Sequence, residues 1–223
     1  LAIISTFGHF AQASLTLYDQ SVAADETGGV LVPTAKLTNA VTLSGNNSSA
    51  FNFGTVSESA TCEFIVEGDP DAGGRDGFLA VGSKSSSSLR YEQWDNTGQL
   101  GFTQGGVADY SFSPLVLSPT EATHVVYVWD GDGRMDLYLD GTLVGQNTSV
   151  ASSFNMPTGS GFLGNNAAGS EGMVGTIHRV TVYNEALSST DIERHSNAFN
   201  DVPEPPVIDS FSASPEAFLA PGN

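Results

Sequence analysis

Aspartates are the residues of this sequence with the clearest chemical potential, and they form two groups. The first lies in HVVYVWDGDGRMDLYLDGTLVGQ, residues 124–146, and the second in DPDAGGRD, residues 69–76. Closely spaced carboxylates can bind calcium, which prefers oxygen ligands, and a pair of them can hydrolyse a glycosidic bond. Each group is therefore compared with the spacing that these kinds of site require.

The first group does not have the spacing of a helical calcium loop. A loop beginning at Asp130 would have Arg134 at its fifth position, where a ligand is needed. It would also have Met135 in place of the required glycine and Gly141 in place of the closing glutamate. The Asp-Gly pairs at 130–133 are instead typical of a hairpin turn between two alternating segments. We expect these aspartates to form turns, with a metal ligand at the rim of the domain as the alternative.

The second group is the better candidate for a metal site. Asp69, Asp71 and Asp76 can place three carboxylates, together with backbone carbonyls, around a hard cation. The alternative is a solvated glycine-rich turn in which Arg75 pairs with one of the aspartates. The sequence thus predicts Asp69, Asp71 and Asp76 as the ligands of a calcium site.

Other chemically active side chains are few and dispersed. Cys62 is the only cysteine, so an internal disulfide and a cysteine-rich metal site are both excluded. His9, His124 and His195 are scattered along the sequence, and no serine lies in a nucleophile-elbow motif. We therefore expect no catalytic residues in this chain.

The charge of the chain excludes two classes of partner. Seven Lys and Arg against 25 Asp and Glu give a formal net charge of −18. Such a chain repels the phosphates of nucleic acids and the surfaces of anionic lipids. The apolar N-terminal run is also too short to span a membrane. Neither nucleic-acid binding nor membrane insertion is expected.

The elements that must position the candidate residues are mainly β-strands. Short alternating or β-branched segments are separated by Gly, Asn, Asp and Ser, which predicts an all-β, two-layer antiparallel sandwich. About thirteen strands are predicted, too many for an immunoglobulin domain of about seven strands. They lie near 14–19, 37–44, 49–56, 60–68, 77–83, 88–95, 99–105, 108–113, 123–129, 134–140, 142–146, 160–165 and 173–183.

One short C-terminal helix is predicted at residues 188–199. Ser188 with Asp191 can form a capping box at its start, and Thr190 with Glu193 is the alternative. Apolar residues of this segment share one face, so the helix is expected to close the domain.

The two ends of the chain differ from the part between them. Residues 1–13 end in Ala-Gln-Ala and resemble the end of a secretory signal peptide, with a first β-strand as the alternative. Residues 14–199 carry the strand pattern and are predicted to form one domain. Residues 200–223 are rich in proline and then alternate, which predicts a stiff linker and the start of a further β-domain. The chain is therefore expected to be part of a longer multidomain protein.

Three aromatic residues are candidates for binding a sugar. Tyr91, Trp94 and Tyr110 have polar neighbours in alternating segments, and an exposed aromatic face can stack on a sugar ring while polar groups hold its hydroxyls. Packing in the core of the sandwich is the alternative for each of them. The sequence predicts these three residues as a glycan-binding set.

Three segments resemble a known family, the laminin-G-like jelly roll of the concanavalin A-like lectin and glucanase superfamily. They are HVVYVWDGDGRMDLYLDGTLVG (124–145), GFLGNN (161–166) and GMVGTIHRVTVYNEALSSTDI (172–192). The resemblance implies a two-layer jelly-roll sandwich of the kind used as a glycan-binding or adhesive module, often with calcium. Many relatives have Gly-x-Ile-Asp where this chain has His178 in the last position. If that aspartate binds calcium in relatives, the corresponding site is weakened or moved here.

Enzymes of the same superfamily provide a test for catalysis. Glucanases of the laminarinase type share a strand motif Glu-x-Asp-x-x-Glu, and the most similar segment here, residues 67–72, lacks the final glutamate and contains Pro70. Alginate lyases share Gln-Ile-His, which the segment ending at His178 matches without the glutamine. The resemblance therefore implies a non-catalytic domain in which His178 is a structural strand residue.

The function expected from this reasoning is a secreted or cell-surface, non-catalytic module that binds carbohydrate or mediates adhesion in a larger extracellular protein. Its partners would be a polysaccharide or a cell-surface glycan, together with other extracellular domains. One alternative is a structural spacer or assembly domain without a small ligand. Another is an accessory domain of an enzyme that degrades polysaccharides.

Overall fold

The computed structural model describes residues 7–56, 58–69, 77–82, 87–94, 96–114 and 117–201, with side chains from residue 14 onward. The elements in chain order are α1 (Phe7–Ser21), β1 (Ala35–Leu37), β2 (Val41–Ser44), β3 (Ser49–Asn52), β4 (Ala60–Glu67), β5 (Gly77–Val81), β6 (Ser87–Glu92), β7 (Gly101–Gln104), β8 (Ala108–Ser111), β9 (Thr123–Trp129), β10 (Met135–Leu139), β11 (Thr142–Asn147), β12 (Ser160–Leu163), β13 (Val174–Tyr183) and α2 (Ser189–Asn200).

The strands form two sheets that pack face to face. Sheet A has seven strands in the order β1-β13-β4-β9-β10-β11, with β2 also paired to β13. Sheet B has six strands in the order β3-β12-β5-β6-β7-β8. The strand pairs in both sheets are antiparallel. The predicted all-β, two-layer antiparallel sandwich is confirmed.

The central strands of sheet A are buried on both faces. β9 is buried along its whole length, and β4 is buried up to its last residue. On one face Phe64 and Val125 join the main core between the sheets. On the other face Ile65 and Val126 join a second apolar cluster beneath the helices. This double burial explains why both strands have nearly continuous apolar sequences.

The C-terminal helix α2 begins where the sequence predicts. Ser188 has an extended backbone, and its Oγ accepts a hydrogen bond of 3.1 Å from Asp191 N. The same Oγ donates to Asp191 Oδ2 at 2.8 Å. Ile192 and His195 are buried against sheet A, so the helix closes this side of the domain.

The N-terminal helix α1 corrects the strand predicted near residues 14–19. Leu15, Tyr18 and Val22 are buried in the cluster beneath the helices, and their spacing of three and four residues is that of one helix face. The helix contacts α2, so the domain has two helices in its described part rather than one. The predicted end of a signal peptide, at Ala13, lies within α1, and its cleavage stays a prediction.

The predicted linker and the predicted start of a further β-domain, from residue 202 onward, lie outside the residues that the structure describes. Neither of the helices described here has the length and apolar character needed to cross a membrane.

Candidate functional site

The outward side of sheet B carries polar residues in alternation with core residues. Leu89 and Phe102 belong to the main core. The strand register aligns Ser88 of β6 with Thr103 of β7 and Asp109 of β8, on the side that faces away from the core. We call this surface the polar face. It comprises Phe78, Ser88, Arg90, Gln93, Thr103 and Asp109, of which Asp109 is exposed, Thr103 is half-buried and the other four are buried. Trp94 follows Gln93 in the chain, and Glu171 pairs with Arg90.

Three side chains of the polar face form a hydrogen-bonded row across the strands. Gln93 Nε2 donates to Thr103 Oγ1 at 3.2 Å, and Thr103 Oγ1 donates to Asp109 Oδ1 at 2.7 Å. Gly101 leaves room for this row, because a Cβ there would lie 2.7 Å from Gln93 Oε1. The exposed Asp109 carboxylate ends the row and can accept from a ligand hydroxyl.

A buried arginine lies next to this row. The Arg90 guanidinium carbon is 3.8 Å from the centroid of the Phe78 ring, and Nη1 donates to Glu171 Oε2 at 2.5 Å. The Arg90 side chain is only 9% exposed, and its buried Nε has no acceptor within the part of the chain that the structure describes. One of the five N–H donors of the guanidinium is therefore occupied by Glu171, and the buried Nε–H has no acceptor among the described residues.

Trp94 is the exposed aromatic residue beside the polar face. It follows β6 and is 44% exposed. The turn after it is held by Glu92, whose Oε1 accepts from Thr97 N at 2.8 Å and from Gly98 N at 3.1 Å. Thr97 Oγ1 in turn donates to the Trp94 carbonyl at 2.7 Å. These hydrogen bonds connect Glu92, Thr97 and Gly98 to one another and to the backbone of Trp94.

The other two predicted aromatic residues point into the domain. Tyr91 is 1% exposed, and its hydroxyl donates to the Gly68 carbonyl at 2.8 Å. Burial, followed by the charge of Asp69, raises the pKa of Tyr91 above its ordinary value. Tyr110 is half-buried against the core: its ring stacks on Phe102 with centroids 4.6 Å apart. Of the three residues predicted to bind a glycan, Trp94 is the most exposed, and the glycan-binding role of the set stays a prediction.

The predicted metal ligands are only partly within the described structure. Asp69 follows β4, whereas Asp71 and Asp76 lie outside the described residues. Across the ranges that are described, no three His, Cys, Asp or Glu side chains are grouped so that they could hold a metal ion. The calcium site stays a prediction.

Asp130, Asp132 and Asp140 lie in turns, as predicted, whereas Asp136 lies within β10. Asp130 Oδ1 accepts from Asp132 N at 2.8 Å and from Arg134 N at 3.0 Å, which closes the turn between β9 and β10. Asp140 lies in the next turn with φ of 46°, and its Oδ1 accepts from His124 N at 3.0 Å. These carboxylates are used within the fold.

A second polar cluster, which the sequence analysis missed, lies between sheet A and the helices. Glu63 is fully buried, and its carboxylate accepts from Tyr18 Oη at 2.8 Å and from His195 Nδ1 at 2.9 Å. His124 Nε2 is 3.9 Å from the same carboxylate, which is too long for a hydrogen bond but close enough for a charge interaction. The histidines at 124 and 195, scattered in sequence, therefore converge on Glu63.

The electrostatics of this cluster favour an ionised Glu63. Burial raises the pKa of Glu63, but the imidazoles of His195 and His124 outweigh it and lower the pKa from 4.5 to about 2. Burial and the charge of Glu63 together raise the pKa of Tyr18, so its hydroxyl stays a donor. An acid within the apolar sequence ATCEFIVEG was the available signal. With every carboxylate contact buried, this cluster joins the helices to the sheet.

His178 lies on β13 beside Glu67. Its Nε2 is 3.2 Å from Glu67 Oε2, and both side chains are partly exposed. The neighbouring Arg179 donates to the His178 carbonyl at 2.8 Å. The residue is thus part of a strand, with a single carboxylate partner.

The two sheets, their order and the closing helix define a jelly-roll sandwich of the lectin type. A laminin G-type family profile, described as the concanavalin A-like lectin/glucanases superfamily, matches residues 38–193. The chain belongs to this superfamily, and the predicted family is confirmed. The match begins after α1 and β1. A comparison with curated protein sequences finds no match.

Several solved structures share the fold at low sequence identity. Domain 4 of AbnA, an extracellular arabinanase from Geobacillus stearothermophilus in complex with arabinotriose, is 16% identical with a TM-score of 0.57, covering 80% of this chain and 95% of that one. The CBM40 module of the Ruminococcus gnavus IT-sialidase, bound to alpha2,3 sialyllactose, is 15% identical with a TM-score of 0.53, covering 73% and 98%. NanB sialidase from Streptococcus pneumoniae is 16% identical with a TM-score of 0.52, covering 73% of this chain. The chain spans only 28% of that sialidase.

Proposed function

We propose that this domain is a non-catalytic carbohydrate-binding module that holds a glycan on the polar face of sheet B. The observation that carries the proposal is the exposed Trp94, directly after Gln93 in the chain, together with the hydrogen-bonded row that runs from Gln93 to the exposed Asp109. A sugar ring has one apolar face and a rim of hydroxyls, so it requires both kinds of surface at once. The arabinanase and sialidase domains that share the fold, solved with bound oligosaccharides, support this proposal.

Each part of the polar face has a role in this proposal. Trp94 stacks on the apolar face of one sugar ring. Thr103 and Asp109 hold hydroxyls, because the row of hydrogen bonds that starts at the buried Gln93 fixes their orientation and leaves the exposed Asp109 able to accept another. Fixed binding groups lose little conformational entropy when the ligand binds.

The non-catalytic part of the proposal rests on the roles of the carboxylates. Glycoside hydrolysis needs two carboxyl groups free to act as acid, base or nucleophile. Glu92 holds the turn after Trp94, and Glu171 pairs with Arg90. Since both perform structural roles, Asp109 has no free carboxyl partner among the described residues of this face.

The setting of the module is also part of the proposal. We place it in a secreted or cell-surface protein of several domains, where it attaches the whole protein to a polysaccharide or a cell-surface glycan. An accessory role beside a glycosidase domain is favoured by the arabinanase and sialidase that contain similar domains. Calcium at Asp69, Asp71 and Asp76 belongs to the same proposal.

The test is a glycan array run with calcium and again with chelator, followed by titration calorimetry on the glycans that bind. Trp94→Ala should weaken binding by about tenfold or more, since stacking on an aromatic ring contributes on the order of 1–2 kcal/mol. Val30→Ala is the matched control, because Val30 is exposed and lies outside the polar face. Equal affinity of the Trp94 variant and the wild type would place the glycan elsewhere, and binding to no glycan would refute the proposed function.

A further inference from the structure

The charge of Arg90 is already neutralised within the polar face. Its guanidinium is paired with Glu171 at 2.5 Å and lies flat on Phe78. A free arginine beside a sugar site would attract a carboxylate such as that of an acidic sugar. We infer that the polar face selects uncharged sugars, and that Glu171 determines this selectivity by occupying Arg90. This inference rests on the proposed function.

Glu171 is held in place by its backbone, which distinguishes it from a mobile surface ion pair. Its N–H donates to Asn165 Oδ1 at 3.1 Å, and its carbonyl accepts from Phe78 N at 3.2 Å. Asn165 is fully buried and donates to the Gly45 carbonyl. The carboxylate is therefore directed at Arg90 by a rigid segment, so that little entropy is lost in keeping the pair.

The Arg90–Glu171 pair disfavours an acidic ligand. Arg90 is almost fully buried, whereas the Glu171 side chain is 37% exposed, so the carboxylate is the more accessible member of the pair. A ligand carboxylate at this pair would approach within a few ångströms of the Glu171 carboxylate, where like charges repel.

The surrounding charge acts in the same direction. Asp109, at the end of the polar row, is exposed and adds a second carboxylate to this face. The chain as a whole has a formal net charge of −18, which repels an anionic polymer at longer range. Local and long-range electrostatics both disfavour an acidic glycan.

The experiment compares neutral polysaccharides with their carboxylated forms on the intact 223-residue chain. The probes are a mixed-linkage glucan, a galactan and a mannan, each with its counterpart oxidised to the carboxylate at C6, and lactose with sialyllactose. The wild type should bind neutral forms at least about tenfold more tightly than carboxylated forms at low salt. Glu171→Gln keeps the side-chain shape but removes the negative charge that neutralises the Arg90 guanidinium. It should therefore reduce the ratio of neutral to carboxylated binding affinity by about tenfold.

Glu193→Gln on α2 is the matched control, because it removes the same charge from an exposed position on the helix. It should leave the ratio of neutral to carboxylated binding unchanged. Preference of the wild type for carboxylated forms, or an equal effect of the two substitutions, would overturn the role of Glu171. Binding to neither form contradicts the proposed function itself, whereas neutral binding without discrimination contradicts only this inference.

Discussion

At the scale of single residues, Glu63 shows how this fold accommodates a buried charge. The carboxylate is fully buried on a central strand, yet it receives hydrogen bonds from Tyr18 and His195 and faces His124. A buried charge is costly unless it is paired and hydrogen-bonded. Here one hydrogen bond comes from each helix and the carboxylate comes from the sheet, so the cluster forms only when the helices are docked.

This cluster predicts a loss of stability in acid. The pKa of Glu63 is near 4.5 in its ordinary state and about 2 in the folded protein, so its contribution is fully present above pH 4.5 and is lost as the pH falls towards 2. The shift corresponds to roughly 3 kcal/mol. Urea unfolding at pH 7, 4.5 and 3 should show the free energy of unfolding falling over the lower interval.

Glu63→Gln should reduce the free energy of unfolding at pH 7 by about 3 kcal/mol and remove much of the acid-dependent decrease. Glu193→Gln, at an exposed position, serves as the control and should change neither quantity. An acid-dependent decrease of unchanged size in the Glu63 variant would assign the effect to other carboxylates.

Residue-level prediction from the sequence succeeded only where local context was sufficient. The turn roles of Asp130 and Asp140 follow from neighbouring glycines and were predictable. Tyr91 and Trp94 could not be separated, because the inward or outward direction of a residue depends on irregular pairing between β5 and β6. The Arg90 pair with Glu171 joins residues 81 positions apart and has no local signal.

At the scale of elements, α1 is the largest difference between prediction and structure. Its contacts are specific: Arg179 Nε donates to Asp19 Oδ1 at 2.9 Å, and Tyr183 Oη donates to the Val22 carbonyl at 2.8 Å. Leu15 and Leu17 alternate like strand residues, whereas the spacing of Leu15 and Tyr18 is helical. Packing of Leu15 and Tyr18 on sheet A favours the helix. The surface of sheet A is formed by residues that are distant in sequence, so the sequence of a short segment does not reveal it.

The docking of α1 predicts a sharp contrast between two of its positions. Leu15 is buried in the cluster beneath the helices, so Leu15→Ala should lower the free energy of unfolding by about 2–3 kcal/mol. Gln20→Ala, at an exposed position of the same helix, should change it by less than about 0.5 kcal/mol. Urea denaturation at neutral pH measures both, and equal effects would mean that α1 does not pack on the sheet in solution.

At the scale of the whole molecule, the class of fold was predictable and the arrangement of strands was not. Alternation and turn residues are local signals, and β9 was predicted with the bounds it has in the structure. Sheet order depends on distant pairs such as Ala35 with Val182 and Phe51 with Gly161. The polar face exists only once β6, β7 and β8 are aligned. The sequence could therefore identify single candidate residues, but it could not show which of them lie together.

From the formal net charge of −18 we predict that divalent cations stabilise the whole molecule. A calcium ion at Asp69, Asp71 and Asp76 would offset repulsion among these carboxylates and stabilise the folded state with the logarithm of its concentration. At 100 times the dissociation constant the gain is about 2.7 kcal/mol, which raises the unfolding temperature measurably.

Asp71→Ala should abolish this rise in unfolding temperature. Asp132→Ala should preserve it, because the Asp132 turn is closed by the Asp130 carboxylate through backbone N–H groups. Calorimetric scans in millimolar calcium and in chelator decide the matter: coincident wild-type curves, or a response lost in the Asp132 variant, would refute this metal site.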